Sequence, residues 1–212
     1  MGRMTQFFTS LLLAAALVGC ATTAVERQEQ TVSSVASTRK EMLDIRAQID
    51  RTLTSLNTLV NASPNDLRKA YQQYAENVEA MQKEAAAMDK HARAMEKQTG
   101  DYLAGWQRAQ SEIQNPELRD VTGQRRELIT HSFQRIQSAF REANREVAPF
   151  LTRIEDIRRA AANDLTAVGI STIAQTDAVA SANAHGASVA TSLDVAIGEF
   201  DQLVGSLAAS PR

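Results

Sequence analysis

From Leu67 to Ile113 the apolar positions recur at alternating spacings of four and three: Leu67, Tyr71, Tyr74, Val78, Met81, Ala85, Met88, Ala92, Met95, Thr99, Tyr102, Trp106, Ala109 and Ile113. Such a run is a heptad seam, and its 3.5-residue period predicts one helix that supercoils left-handedly against its neighbours. At about 1.5 Å per residue the helix is roughly 70 Å long. Thr99-Gly100-Asp101 is a soft point, but the seam keeps its phase across it, so the helix is read as continuous. A looser stripe precedes it: Val32, Val35, Met42, Ile45, Ile49, Leu53, Leu56 and Val60, with one gap of seven, which predicts a first helix over about 25–60. Between the two, Ser63 is placed to cap the second helix and Pro64 to occupy its first position.

Asn115-Pro116 repeats that punctuation and opens a third helix with the seam Phe133, Ile136, Phe140, Ala143, Val147, Phe150, Ile154, Ile157 and Ala161. Pro149 lies inside it and predicts a kink, because proline removes a backbone donor and crowds the preceding turn. Beyond Asn163 charge almost vanishes: residues 165–193 carry only Asp177. A fourth seam follows, with Val179, Ala182, Gly186, Val189, Leu193, Ala196, Phe200, Leu203 and Leu207. Its small residues permit close approach of a neighbouring helix. Internal packing is the expectation; the alternative makes Val179, Ala182, Gly186 and Val189 a face for a partner chain, since an exposed apolar stripe of that length marks an interface. The pattern as a whole predicts an all-α fold, an elongated antiparallel bundle or coiled coil of about four long helices, in a single domain over 25–208.

The first twenty residues have a different character. Arg3 precedes an apolar stretch through Leu11-Leu12-Leu13 to Val18, about the length of a secretory signal core and too short to span a bilayer. It closes on Leu17-Val18-Gly19-Cys20, a lipobox, and Cys20 is the single cysteine of the chain. The expectation is a signal peptide over 1–19, cleavage before Cys20, and modification of Cys20 with diacylglycerol and palmitate. Two or three acyl chains anchor stably where one binds reversibly. Residues 20–31 are then a lipid-anchored tether. Ala21, in place of an aspartate, favours the outer membrane, facing the periplasm.

The chain is similar to a bacterial coiled-coil lipoprotein family, domain of unknown function 2959, whose members often begin with a lipobox. The likeness rests on Asp66-Leu67-x-x-x-Tyr71, the lone Trp106, Asn115-Pro116-x-Leu118-Arg119 and Val147-x-Pro149-Phe150-Leu151, and it covers roughly 25–207. Where the family tends to place acids after the tryptophan, this chain has Gln107-Arg108-Ala109. The resemblance implies an elongated helical protein and brings no assigned activity.

Composition narrows the function classes. Lys and Arg number 23 against 25 acids, a net charge of −2, which gives no footprint for nucleic acid. Nine glycines and four prolines are too few for phosphate-cradling loops or a β-domain. His91, His131 and His185 sit on separate helices without metal-ligand spacing, and Glu127 with His131 reads as a surface pair. Met81, Met88 and Met95 occupy regular seam positions and read as core filling. The many arginines of the third helix alternate with acids and read as a solvated, ion-paired face. No metal and no cofactor is expected. The expected function is non-enzymatic: an envelope lipoprotein that scaffolds, binding a coiled-coil partner or a second copy at the membrane. The alternative is a periplasmic binding or chaperone-like module that holds an apolar or anionic ligand between helices.

Overall fold

The computed structural model describes residues 18–208, with side chains described over 33–206 apart from Asp89. Five α-helices follow one another: α1 Val18–Val60, α2 Leu67–Ser111, α3 Pro116–Asn163, α4 Ala167–Ala174 and α5 Asp177–Ala208. Among the described residues there is no strand. The long helices touch in a ring, α1 to α2, α2 to α3, α3 to α5 and α5 back to α1. Every neighbouring pair is antiparallel. Ser34 and Glu41 of α1 meet Gln98 and His91 of α2. Tyr74 and Gln110 of α2 meet Ile154 and Arg119 of α3. Arg135 and Glu146 of α3 meet Glu199 and His185 of α5. Arg39 and Arg46 of α1 meet Asp201 and Asp194 of α5. This is an up-down-up-down four-helix bundle.

Heptad seams from all four long helices build the core. In α3 every seam residue from Phe133 to Ala161 is buried, and Ile129 extends the run by one step. In α5 Ala182, Val189, Leu193, Ala196, Phe200 and Leu203 are buried, and Val179 packs against the core half-buried. The α2 seam holds through Thr99 and loosens at its end, where Tyr102 and Trp106 are half-buried and meet edge to face, with ring centroids 5.7 Å apart at 79°. Met81, Met88 and Met95 are core residues.

The α1 seam differs from the apolar stripe. Its buried positions are Val35, Thr38, Met42, Ile45, Ile49, Thr52, Leu56 and Leu59, an unbroken alternation of three and four. Two threonines fill heptad positions, and Leu53 and Val60 stand one residue off and are half-buried. Thr38 and Thr52 satisfy their hydroxyls on the carbonyls of Ser34 and Gln48 one turn earlier, so they pack as small residues in a helix interior.

Three local expectations are corrected. The helical backbone of α1 begins at Val18, not near residue 25, so residues 20–31 continue α1. Helix α2 begins at Leu67, not Pro64: the Ser63 hydroxyl donates to the Asp66 carboxylate (2.7 Å) in place of capping an amide, and residues 64–66 form a turn. The charge-poor segment is two helices and not one. Thr166 accepts from the Gly169 amide (3.1 Å) to start α4, and the Thr176 hydroxyl accepts from the Ala178 amide (3.3 Å) at the start of α5. Short α4 packs on α1, α3 and α5 through buried Ile170 and covers the end of the bundle where α1 and α3 finish. The Asn115-Pro116 expectation is met: Asn115 accepts from the Leu118 amide (3.2 Å), with Pro116 in the first turn. Helix α3 runs uninterrupted through Pro149, which lies on its exposed side, where water can satisfy the carbonyl that proline releases.

Candidate functional site: the polar groove between the first two helices

The two halves of the bundle differ in chemistry. Between α3 and α5 the buried side chains are aromatic and aliphatic, led by Phe140, Phe150, Ile154 and Phe200. Between α1 and α2 they include Gln48, Thr52 and Ser55, each at most 5% exposed. Gln48 Nε2 donates to the Asn77 carbonyl (3.0 Å), Thr52 Oγ1 lies 3.2 Å from the same oxygen, and Arg51 Nε donates to Gln48 Oε1 (2.9 Å). Buried polar groups that find partners fix the relative position of two helices.

This polarity follows a heptad flank. Ser34, Glu41, Gln48 and Ser55 recur every seven residues on α1, and Gln98, His91, Glu84, Asn77 and Ala70 run back along α2. Residues flanking a seam face each other across an antiparallel pair, so the two rows form the walls of one groove. Where neighbours are small, the groove opens into clefts. The larger, about 560 Å³, is lined by Ser33, Ser34, Ser37, Thr38 and Glu41 from α1 and by His91, Ala94 and Gln98 from α2. The smaller, about 380 Å³, lies nearer the α1–α2 turn beside Ser55, Gln73 and Asn77. In the larger cleft Glu41 Oε2 is screened from solvent and accepts no hydrogen bond. His91 Nδ1 stands 2.8 Å from it and is its ionic partner across the two helices.

The other histidines are elsewhere. His185 Nδ1 sits 3.0 Å from Glu146 and links α3 to α5. His131 contacts Gln134 (3.2 Å) in place of the expected Glu127. Among the described residues no group of three His, Cys, Asp or Glu side chains could hold a metal ion. Four of the nine arginines of α3 are ion-paired: Arg135 with Glu199, Arg145 with Glu142, and Arg158 and Arg159 together with Glu155.

That last cluster braces α2 against α3. Tyr74 is buried and donates its hydroxyl to the Ile154 carbonyl (2.6 Å), and burial pushes its ionisation up. One residue on, the Arg158 hydrogen bonds and then those of Arg159 hold the Glu155 carboxyl down at about 2. A carboxyl with a depressed folded value stabilises the fold above the ordinary carboxylate range and loses that contribution as pH falls towards the folded value. Arg159 is mostly exposed, so solvent screens part of the effect. Lowering pH from 5.5 to 2.5 is expected to cost wild type about 1 kcal/mol more than Glu155→Gln. Denaturant titration at the two pH values measures this; equal losses would show that the cluster contributes nothing.

Of the residues singled out by sequence, Leu17 lies outside the described residues. Val18, Gly19 and Cys20 lie in the first turn of α1, and nothing of the Cys20 side chain is described. Ala182, Gly186 and Val189, weighed as a partner face, are buried inside the bundle, and Val179 is packed on its core. A Cβ on Gly186 would stand 2.9 Å from Leu53 Cδ1 and 3.0 Å from Phe150 Cε2, so α1 and α3 already close over this face. The polar groove is new. Its signal was present as hydroxyl and amide residues at multiples of seven, invisible to a search for apolar seams.

The model of the family described as "Protein of unknown function (DUF2959)" matches residues 19–207. The chain belongs to this family. No curated protein and no solved structure matches it. Membership of DUF2959 spans the whole bundle from the first turn of α1 to the last of α5, so the family unit and the four-helix ring coincide.

Proposed function

We propose that this DUF2959 protein is a non-enzymatic envelope lipoprotein, a helical scaffold anchored at Cys20 in the outer membrane and facing the periplasm, where it binds a partner protein. In this reading residues 1–19 are removed as a signal peptide and Cys20 carries the acyl chains. The observation that carries the proposal is the antiparallel register. It sets the start of α1 and the α2–α3 turn at one end of the bundle and the α4 cap at the other. A rod whose long helices run about 50–70 Å, held by a lipid at one end, displays its sides and far end away from the bilayer. No described helix is long and apolar enough to cross a membrane, so the acyl chains would supply the attachment. The filled seam between α3 and α5 favours a rigid spacer over a module that holds an apolar ligand among its helices. Exposed Leu118, Val121 and Leu128 on α3 offer apolar contact to a partner coiled coil.

The test is metabolic labelling with a fatty acid, followed by membrane fractionation. Wild type is expected to carry label and to sediment with outer membranes. Cys20→Ser is expected to accumulate as an unlabelled precursor, because acyl transfer needs the thiol. Equal labelling of the two proteins would overturn the anchor and with it the scaffold reading.

A further inference from the structure

We propose that the end of the bundle where α1 begins holds an open fourth-helix position, the continuation of α5 between α1 and α3, and that one amphipathic helix of a partner protein docks there parallel to α5. Helix α5 is the shortest of the four long helices. The Arg39–Asp201 and Arg46–Asp194 pairs fix its register on α1. Ala208, seven residues past Asp201, therefore lies level with position 32, seven residues before Arg39, while α1 reaches back to Val18. On α2 the Ser34–Gln98 and Glu41–His91 contacts put the same level at Gly100. Burial on α2 fails just there: Thr99 is buried, Tyr102 and Trp106 are half-buried and Ala109 is exposed. From position 32 back to Cys20, about 18 Å of helix, α1 runs beside α2 and α3 with no fourth helix among the described residues.

The flanks of this track change character where α5 stops. Beside α5 they carry arginine: Arg39 and Arg46 of α1 pair with Asp201 and Asp194, Arg135 of α3 pairs with Glu199, and Arg125 donates to the Ser206 carbonyl. One and two heptads before Arg39 the sequence has Val32 and Val25. One heptad before Arg125 stands Leu118, and two before Arg135 stands Val121. Leu118 and Val121 are 57% and 58% exposed. A helix surface that faces only water carries polar and charged residues; here arginine gives way to aliphatic residues, the mark of a contact surface. These positions lie along the line of α5, so they prolong an existing helix–helix interface and offer the width of one more helix. The chemistry of the occupant follows from α5 itself, which seats Val189, Leu193, Ala196, Phe200 and Leu203 at spacings of four and three. A helix of about three turns with small and aliphatic residues at that spacing fits the open position. This names the class of partner in the scaffold reading and rests on that reading for its setting.

The probe is a synthetic peptide with the sequence of residues 189–207, added to the full-length chain in dodecyl maltoside. The reporter is the fluorescence of Trp106, the single tryptophan. A saturable blue shift is expected as the peptide covers the half-buried indole. Leu118→Glu/Val121→Glu is expected to weaken peptide binding by about tenfold or more and to keep the wild-type thermal midpoint, since both side chains are exposed. In a second variant, residues 209–212 are replaced by two heptads that continue the α5 seam. It is expected to melt about 5 °C or more above wild type, to show Trp106 emission already shifted, and to bind no peptide. The same extension with its seam rotated by two residues is expected to do none of these. Absence of a saturable shift, equal peptide binding by the glutamate variant, or an in-phase extension that melts like wild type would each overturn the proposal. Self-association without peptide that the glutamates abolish would overturn it in favour of a second copy of this chain. Quenching of Trp106 by brominated dodecyl maltoside that the glutamates relieve would overturn it in favour of a lipid surface. Fatty-acid labelling of Cys20 is read separately, so failure here is distinguishable from failure of the scaffold reading.

Discussion

Gly186→Leu is expected to lower the thermal midpoint by roughly 6–12 °C, the effect of about 3 kcal/mol on a chain of this size. The cause is local. At Gly186 helix α5 sits against both α1 and α3, and a bare Cβ would already meet Leu53 at 2.9 Å and 3.2 Å and the Phe150 ring at 3.0 Å. Leucine adds three further carbons into that space. Phe150 is fully buried, so its ring can yield only by disturbing the next layer of the core. Gly186→Ala separates two opposing effects. Alanine gains about 1 kcal/mol of helix propensity over glycine, and its single methyl forces Leu53 and Phe150 to move by a few tenths of an ångström. The two nearly cancel, so a midpoint close to wild type is expected. Melting and sedimentation run in parallel decide the matter. A Gly186→Leu protein that melts like wild type but changes its sedimentation would place this face at a contact between chains.

The α3 and α5 seams were legible because apolar side chains occupy nearly every heptad position, so periodicity alone selects the buried face. In α2 the periodicity continues past the point where burial does: Thr99 is buried, Tyr102 and Trp106 are half-buried and Ala109 is exposed. Pattern reports which side of a helix faces inward, but the depth of burial depends on how far the neighbours extend. Helix α1 was misread in detail because Thr38 and Thr52 hold seam positions. Threonine bonded to its own helix packs as an apolar residue of valine size, and a hydropathy pattern scores it as polar. The missed break at Thr176 has a similar origin, since the composition of 165–193 is uniform and only the capping threonines mark the boundaries. The pairing of the two walls of the groove was missed for a different reason. Glu41 and His91 are fifty positions apart, and the antiparallel register that joins them follows from packing along the whole hairpin.

Phe150→Ala is expected to be the most damaging single truncation, at about 3–5 kcal/mol, because it removes a fully buried ring from the tightest part of the core. Trp106 is the larger side chain, yet it is half-buried at the loosening end of α2, where it meets Tyr102 edge to face. Trp106→Ala is therefore expected to cost less, about 1–2 kcal/mol, and Gln107→Ala, on the exposed side, close to nothing. Thermal melts of the three rank the ends of the bundle against its middle; a Trp106 effect equal to that of Phe150 would show that the α2 end is packed as firmly as the centre. The contact between Phe150 and Gly186 sharpens this into a test of geometry. Removing the ring opens a cavity at the place where Gly186→Leu is overfilled. The double variant Phe150→Ala/Gly186→Leu should therefore be more stable than the sum of the single effects predicts, by about 1–3 kcal/mol of coupling. Leucine from α5 would occupy the volume that phenylalanine from α3 vacates. Strict additivity of the two substitutions would mean that α3 and α5 do not meet at these residues, and the register of the whole helical pair would have to be drawn again.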